Sequence, residues 1–177
     1  LGTDLAVKSP ADGYTMLLSS ISLAFNASLY KSLPFDPTRD LAPVTLVAIQ
    51  PNMLVTNPRL PAQSVKELLA LAKQKPGSIK YASGGNGSGP HLATELLKMS
   101  TGVELTHVPY KGTGPALTDL LAGQVDMMIA VTASALPHVR AGRLRALAVT
   151  GEARSTVAPD VPTLDESGVP GYEFKTW

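Results

Sequence analysis

Two segments of the sequence combine glycine, hydroxyl and proline residues in a pattern suited to binding a small anion. The first is Gly87-Ser88-Gly89-Pro90-His91-Leu92, and Gly112-Thr113-Gly114-Pro115-Ala116-Leu117 repeats it 25 positions later. Glycines let the chain turn sharply close to a ligand, and proline is favoured in the first turn of a helix. A helix that begins at such a loop presents unpaired N–H groups and the positive end of its dipole. The pattern therefore predicts two helix N-termini that bind a carboxylate or a phosphate.

A short apolar stretch precedes each of these segments. Ile79–Ala82 predicts a strand that leads into a glycine-rich turn at Ser83–Gly89, and Glu104–Val108 predicts a strand before the second segment. Parallel strands bring the loops that follow them to one edge of the sheet, where α/β folds bind their ligands. We therefore expect the two glycine loops to lie side by side, each at the start of a helix.

The remaining polar residues do not form a catalytic or metal-binding pattern. The histidines are His91, His107 and His138, whose positions lack metal-ligand spacing, and the sequence contains no cysteine. The sequence has no G-x-S-x-G or P-loop motif, and Pro90 occupies the position of the third glycine in a dinucleotide-binding pattern. We therefore predict no catalytic residue, no metal and no cofactor.

Three residues near the loops each keep two interpretations. His91 either touches a ligand or is a solvated or capping side chain. Lys111 either lies in solvent or attracts an anion to the second loop. Tyr110 either closes over a ligand or packs against the protein.

The composition restricts the class of protein. The chain has 177 residues, of which 44% are hydrophobic and 16% are charged, and its net charge is +1. These values are typical of a globular protein, and the charge provides no basic surface for nucleic acid or an anionic membrane. No apolar run approaches the roughly 18 residues that indicate a membrane-spanning helix. We predict no nucleic-acid partner.

Strands and helices alternate along most of the chain, which favours an α/β architecture. Ser64 and Glu67 form a capping-box pattern that opens a helix ending near Lys75. The continuous apolar character of Val125–Val131 is typical of a strand in a parallel sheet. The other predicted elements are helices at Leu23–Tyr30 and Ser134–Ala141 and strands at Tyr14–Ser19, Val44–Ile49, Asn52–Thr56 and Arg145–Thr150.

Five segments of the chain resemble the Bug receptors, the periplasmic solute-binding proteins of tripartite tricarboxylate transporters. They are, in order, SPADGYTML, YASGGNGSGPHLATELL, VPYKGTGPALTDLLAGQVD, ALPHVRAGRLRALAVT and VPTLDESGVPGYEFKTW. The resemblance extends over essentially the whole chain and does not identify the ligand.

The resemblance implies an α/β, two-lobe periplasmic-binding-protein (flytrap) fold with parallel sheets, which closes on its ligand. Residues 1–47 would form part of the first lobe, residues 48–148 the near-complete second lobe, and residues 149–177 an incomplete return to the first lobe. The chain would therefore be a fragment, with further segments before Leu1 and after Trp177.

The resemblance also implies a receptor that captures a small carboxylate in the periplasm and delivers it to the membrane permease subunits of the transporter. Many relatives have Phe-Asp where this chain has Ile129-Ala130, and this departure favours a ligand with no cationic group. The implied ligand-binding residues come from the two loops and from the first lobe: Ser83, Gly85, Asn86, Gly87, Ser88, Tyr110, Lys111, Gly112 and Thr113, with Ser19 and Ser20.

Two other classes of protein stay open. An enzyme would bind a phosphorylated ligand or a nucleotide at the same loops, and an interaction module would bind another protein instead of a small molecule. The predicted strands Tyr14–Ser19 and Val44–Ile49 lack neighbours within the chain, so their sheet edges would be open. We therefore also predict that the chain associates with itself.

Overall fold

The computed structural model describes residues 2–177, so Leu1, the first residue of the predicted first-lobe segment, lies outside them. The helices are α1 (Gly2–Val7), α2 (Ser22–Leu29), α3 (Val65–Gln74), α4 (Gly89–Thr101), α5 (Thr113–Ala122) and α6 (Thr132–Arg140). The strands are β1 (Gln50–Thr56), β2 (Lys80–Ser83), β3 (Thr106–Pro109), β4 (Met127–Val131), β5 (Arg145–Val149) and β6 (Lys175–Thr176). The class is α/β, as predicted.

The chain divides into two compact units, residues 2–48 with Trp177 and residues 49–176. The second unit contains a sheet with strand order β3-β2-β4-β1-β5, and β6 pairs with the start of β1. Strand β2 is parallel to β3 and β4, whereas β1 is antiparallel to β4 and to β5. Strands β2 to β5 therefore share one direction, and β1 opposes them.

The sheet is mostly parallel, in line with the prediction, but β1 runs opposite to β4 and β5. Strand β6, which the sequence did not predict, is also antiparallel to β1. Strand β1 lies between β4 and β5 in the sheet. Along the chain, helix α6 connects β4 to β5. The apolar pattern of Met53–Val55 indicates that the strand is buried but carries no information about its direction. Met53, Leu54 and Val55 are 0% exposed, so β1 contributes to the centre of the core.

Helix α3 begins at the predicted cap, but the return bond from Glu67 is made to the amide of Gln63 and not to that of Ser64. The hydroxyl of Ser64 accepts a hydrogen bond from the Glu67 N–H at 3.2 Å, and the Glu67 carboxylate accepts one from the Gln63 N–H at 2.7 Å. Val65, Leu68 and Ala72 recur at helical spacing and are 1% exposed. The helix therefore buries one apolar stripe and leaves its polar side in solvent.

Residues 172–174, near the end of the chain, pack within the second unit. The Phe174 N–H donates to the Thr150 carbonyl at 2.8 Å, and the Tyr172 hydroxyl donates to the Ala93 carbonyl in α4 at 2.6 Å. Residues 149–176 therefore hold α4 against the sheet. The assignment of residues 1–47, 48–148 and 149–177 to the lobes of a complete receptor remains a prediction.

The prediction of strands at Tyr14–Ser19 and Val44–Ile49 is wrong, since both segments lack strand structure. Neither pairs with a strand among residues 2–177, so the hydrogen-bond ladder that defines a strand does not form. Their apolar side chains are uncovered, and Tyr14, Met16 and Leu18 are 93%, 81% and 81% exposed. The apolar residues of these segments favour a strand, but a strand also requires a neighbour with which to form hydrogen bonds.

Candidate anion-binding site

The two glycine loops lie together at one edge of the sheet. Strands β3, β2 and β4 are neighbours in the sheet and share one direction, so their carboxyl ends meet at this edge. We call residues 83–88, after β2, the first glycine loop, and residues 110–113, after β3, the second glycine loop. The Tyr110 N–H donates to the Ser83 carbonyl at 3.0 Å, and the Gly112 N–H donates to the Gly84 carbonyl at 3.2 Å. The prediction that the loops lie side by side is confirmed.

Glycine is required where the loops touch. A Cβ atom at Gly84 would lie 3.2 Å from the methyl group of Thr113, and one at Gly85 would lie 3.1 Å from the Tyr110 carbonyl oxygen. Gly85 also has a φ of 118°, which L-residues with a side chain rarely adopt. Larger residues would therefore push the loops apart.

A hydrogen bond within the first glycine loop fixes the start of α4. The Ser88 hydroxyl donates to the Gly85 carbonyl at 2.7 Å and closes the turn. Within residues 2–177, the Ser88 side chain accepts no bond from the first amides of α4, although Ser88 occupies the N-cap position. The helix therefore begins without the usual side-chain cap and keeps its first donors available.

Several backbone N–H groups of the two loops have no acceptor within the described part of the chain. They lie in the loops or in the first turns of α4 and α5, where a helix cannot satisfy its own amides. These donors include the amides of Asn86, Gly89, Lys111, Thr113 and Gly114. An anion placed against the loops would accept such bonds and would also gain from the positive ends of two helix dipoles.

Two side chains of the second glycine loop differ in their surroundings: Tyr110 packs against α5, whereas Lys111 lies in solvent. The Tyr110 hydroxyl donates to the Asp119 carboxylate in α5 at 2.8 Å, and partial burial together with this bond raises the pKa of Tyr110 to about 12. Tyr110 therefore packs against its own unit, in line with the second of its two interpretations. Lys111 is exposed and forms no ion pair among residues 2–177.

Two predicted site residues lie in the other unit. Ser19 is half-buried and Ser20 is exposed, and the Ser20 carbonyl accepts a hydrogen bond from the Leu23 N–H at 2.8 Å where α2 begins. The structure thus brings together the nine loop residues predicted from the second unit. That Ser19 and Ser20 contribute to ligand binding remains a prediction.

Two polar residues at this edge, His107 and Thr132, were not predicted to shape the site, and His91 was predicted either to touch a ligand or to be a solvated or capping side chain. His91 Nδ1 accepts a hydrogen bond from the Gly87 N–H at 3.2 Å, and His107 Nε2 lies 2.7 Å from the Ser83 hydroxyl oxygen. Thr132 starts α6 directly after β4, and its hydroxyl donates to the Pro51 carbonyl at 2.8 Å. His91 follows the Gly-Pro step of the first motif, and its contact with Gly87 is local. The contacts of His107 and Thr132 are made between distant segments and depend on the order of strands in the sheet.

Other kinds of site find no support in the described residues. Residues 2–177 contain no cluster of three or more potential metal-binding side chains. The same residues include no helix that is both long and apolar enough to cross a membrane. Asp126 has a structural position, since its carboxylate accepts a hydrogen bond from the Lys80 N–H at 2.7 Å.

The chain belongs to the family described as tripartite tricarboxylate transporter family receptor, whose model matches residues 1–177. It is 46% identical over 179 aligned residues to the protein BugT of Bordetella pertussis, and the match covers 100% of this chain and 55% of BugT. The chain therefore spans about half the length of this relative. The resemblance to the Bug receptors inferred from sequence is confirmed.

Two solved structures have the same fold. The structure of Rpa4515 from R. palustris with adipate superposes with a TM-score of 0.93 at 40% identity, covering 99% of this chain and 59% of that one. The structure of MatC from Rhodopseudomonas palustris with bound malate superposes with a TM-score of 0.90 at 30% identity, covering 99% of this chain and 60% of that one.

Proposed function

We propose that this chain is the solute-binding part of a periplasmic receptor that captures a small carboxylate and delivers it to the membrane permease subunits of a tripartite tricarboxylate transporter. The observation that carries the proposal is the set of unsatisfied amides on the two glycine loops at the starts of α4 and α5. Membership of the receptor family supports the transport role and the periplasmic location.

The geometry of the loops favours a carboxylate held mainly by backbone groups. Charge-assisted hydrogen bonds of this kind contribute roughly 1.5–3 kcal/mol each, so a few of them suffice for specific binding. Adipate and malate, which occur in the structures of two relatives, are both dicarboxylates. A small dicarboxylate is accordingly the ligand class that we propose.

The end of β4 favours a ligand without an ammonium group. Ile129 and Ala130 are 0% and 1% exposed and pair with Leu54 and Met53 of β1. An apolar pair at this position offers no carboxylate to a positively charged substituent. We therefore expect dicarboxylates to bind better than amino acids of similar size.

The proposed role is binding without catalysis. The loops present hydrogen-bond donors, and their serine hydroxyls are engaged within the protein, since Ser88 donates to the Gly85 carbonyl and Ser83 contacts His107. Ser83 is buried at the end of β2, and its hydroxyl accepts a hydrogen bond from the Gly85 N–H. Its contact with His107 therefore stabilises the loop and does not present a nucleophile to a ligand.

A thermal-shift panel on the complete receptor containing this chain tests the proposal. The panel compares adipate, malate, succinate, aspartate, glutamate, ATP and inorganic phosphate. We expect stabilisation by one or more dicarboxylates and little by the amino acids. Selective stabilisation by ATP or phosphate, or turnover of any compound, would favour an enzyme, and the absence of any shift would favour a protein-interaction module.

A further inference from the structure

A stack of three rings lies behind the first glycine loop. The His107 ring of β3 lies between Tyr81 of β2 and His91 of α4, with centroid distances of 4.7 Å to Tyr81 and 4.4 Å to His91. The rings are inclined by 13° and 26°, so both contacts are stacked. We call Tyr81, His107 and His91 the ring stack.

Two hydrogen bonds connect the ring stack to the first glycine loop. His91 Nδ1 accepts the Gly87 N–H at 3.2 Å, and His107 Nε2 contacts the Ser83 hydroxyl at 2.7 Å. Gly87 has a φ of 76°, so its backbone is held in a left-handed turn. The bond to His91 engages this amide, so it is not among the loop donors left free for an anion.

We propose that His91 is a positioning residue that holds the first glycine loop in its anion-binding shape, and that protonation of His91 releases the loop. This inference rests on the proposed function, because it concerns the affinity of the same loops for a carboxylate. His91 acts through Gly87 and does not itself need to touch the ligand.

The direction of the Gly87 bond determines which state of His91 is compatible with the loop. A backbone amide only donates, so Nδ1 must be unprotonated and the neutral ring carries its proton on Nε2. Protonation would place a second donor against the amide and break the contact. Protonation of His107 is different, since an Nε2–H group donates to the Ser83 hydroxyl oxygen and keeps that bond.

The groups around His91 favour the neutral ring. Partial burial lowers the pKa of His91, the Glu95 carboxylate opposes this effect, and the Lys98 ammonium group adds to it. Partial burial also lowers the pKa of His107, and the stacked His91 acts in the same direction. From β2, the Tyr81 hydroxyl donates to Glu95 at 2.6 Å, and Lys98 pairs with the same carboxylate at 2.7 Å. Glu95 is therefore already engaged by two donors.

The sign of the pH effect follows from the lowered pKa. The folded loop prefers neutral His91 more than the unfolded chain does, so the loop is fully stabilised above the ordinary histidine value of about 6.5. This stabilisation is lost as the pH falls below 6.5 towards the lowered pKa of the folded protein. Affinity for a carboxylate depends on the protonation of the folded receptor alone, so it should decline as the pH falls through this lowered pKa.

Two substitutions at His91 distinguish the hydrogen bond to Gly87 from the stacking of the ring on His107. His91→Asn places an amide oxygen near the position of Nδ1 and keeps an acceptor for Gly87, whereas His91→Phe keeps a stacked ring without an acceptor. At pH 7.5 we expect His91→Phe to weaken binding about tenfold, in keeping with a lost bond and an unsatisfied amide, and His91→Asn to weaken it much less.

Calorimetry on the complete receptor with adipate or malate, whichever stabilises it, measures these affinities at pH 7.5 and at a pH below the His91 midpoint, which NMR of the same receptor provides. The wild-type affinity should fall at the lower pH, and the affinity of His91→Asn should change little, because asparagine does not titrate. Titration of the ligand is common to both proteins and cancels in the comparison. Equal pH dependence in the two proteins, or wild-type affinity of His91→Phe at pH 7.5, would overturn the proposal.

A second measurement needs no ligand and stays informative if His91→Phe fails to fold. NMR of the ligand-free receptor follows the Gly87 amide and the His91 ring nitrogens from pH 8 to 5. We expect Nδ1 to be the unprotonated nitrogen at pH 8 and the Gly87 amide to shift with the same midpoint as His91. If the chemical shift of the Gly87 amide did not change with the protonation of His91, the proposed role of His91 would be refuted. Failure of every carboxylate to bind would instead refute the proposed function.

Discussion

Gly87→Ala tests whether the shape of the first glycine loop determines ligand affinity. Gly87 has a φ of 76° and is buried, and its amide is bonded to His91. An L-residue in the left-handed region costs about 1–2 kcal/mol, so alanine would drive the loop towards another conformation. A changed turn would move a free loop amide such as that of Asn86 or Gly89 away from the ligand. We expect the affinity for a dicarboxylate to fall about tenfold or more, since losing one such charge-assisted hydrogen bond costs roughly 1.5–3 kcal/mol.

The same helix offers a matched control. Gly102 follows the last turn of α4 with a φ of 68°, and a Cβ atom there would meet no other atom within 4 Å. Gly102→Ala should therefore cost a similar 1–2 kcal/mol of backbone strain, about as much as Gly87→Ala, at the opposite end of the helix. The two variants should lose similar thermal stability, but only Gly87→Ala should lose affinity.

Calorimetric titration and thermal melting of both variants in the complete receptor provide the comparison. If Gly102→Ala weakened binding as much as Gly87→Ala, the loss would reflect general destabilisation. If Gly87→Ala bound the ligand as the wild type does, the first glycine loop would not be part of the site. Either result would refute the reasoning from the loop amides.

Three further predictions follow from the same structure. Ser88→Ala removes the hydroxyl that closes the turn on Gly85, and calorimetry should show a loss on the order of tenfold in affinity; an unchanged affinity would show that the hydroxyl is dispensable. Lys111→Ala should have a small effect that disappears with added salt, because the side chain is exposed, whereas abolished binding would mean that its charge holds the ligand. Residues 1–177 alone should self-associate through apolar side chains such as Met16 and Val44, which are both 81% exposed, and light scattering from a monomer at high concentration would contradict this.

Local patterns accounted for most of the elements of the second unit. Ser64 and Glu67 marked the start of α3, and the Gly-Pro steps marked the starts of α4 and α5, because caps and turns depend on residues a few positions apart. The repeat of the glycine motif also identified both loops of the candidate site. These features depend on short-range chemistry, which the order of residues carries directly.

Tertiary structure decided what the pattern could not. The apolar segment Met53–Val55 predicted a buried strand but not that it opposes its neighbours, and Tyr14–Ser19 predicted a strand that has no partner. Strand direction and pairing depend on which segments meet across the sheet. Alternation of side chains is the same in either direction and does not indicate whether a partner is present.

The candidate site shows the same division. The sequence by itself determined that two glycine loops precede two helices and that a small anion suits them. Only the tertiary structure decided which amides stay unsatisfied and that His91 and His107, 16 positions apart in the sequence, stack behind the loop. Those contacts arise because β3 lies beside β2, and this order of strands is set by packing across the whole unit.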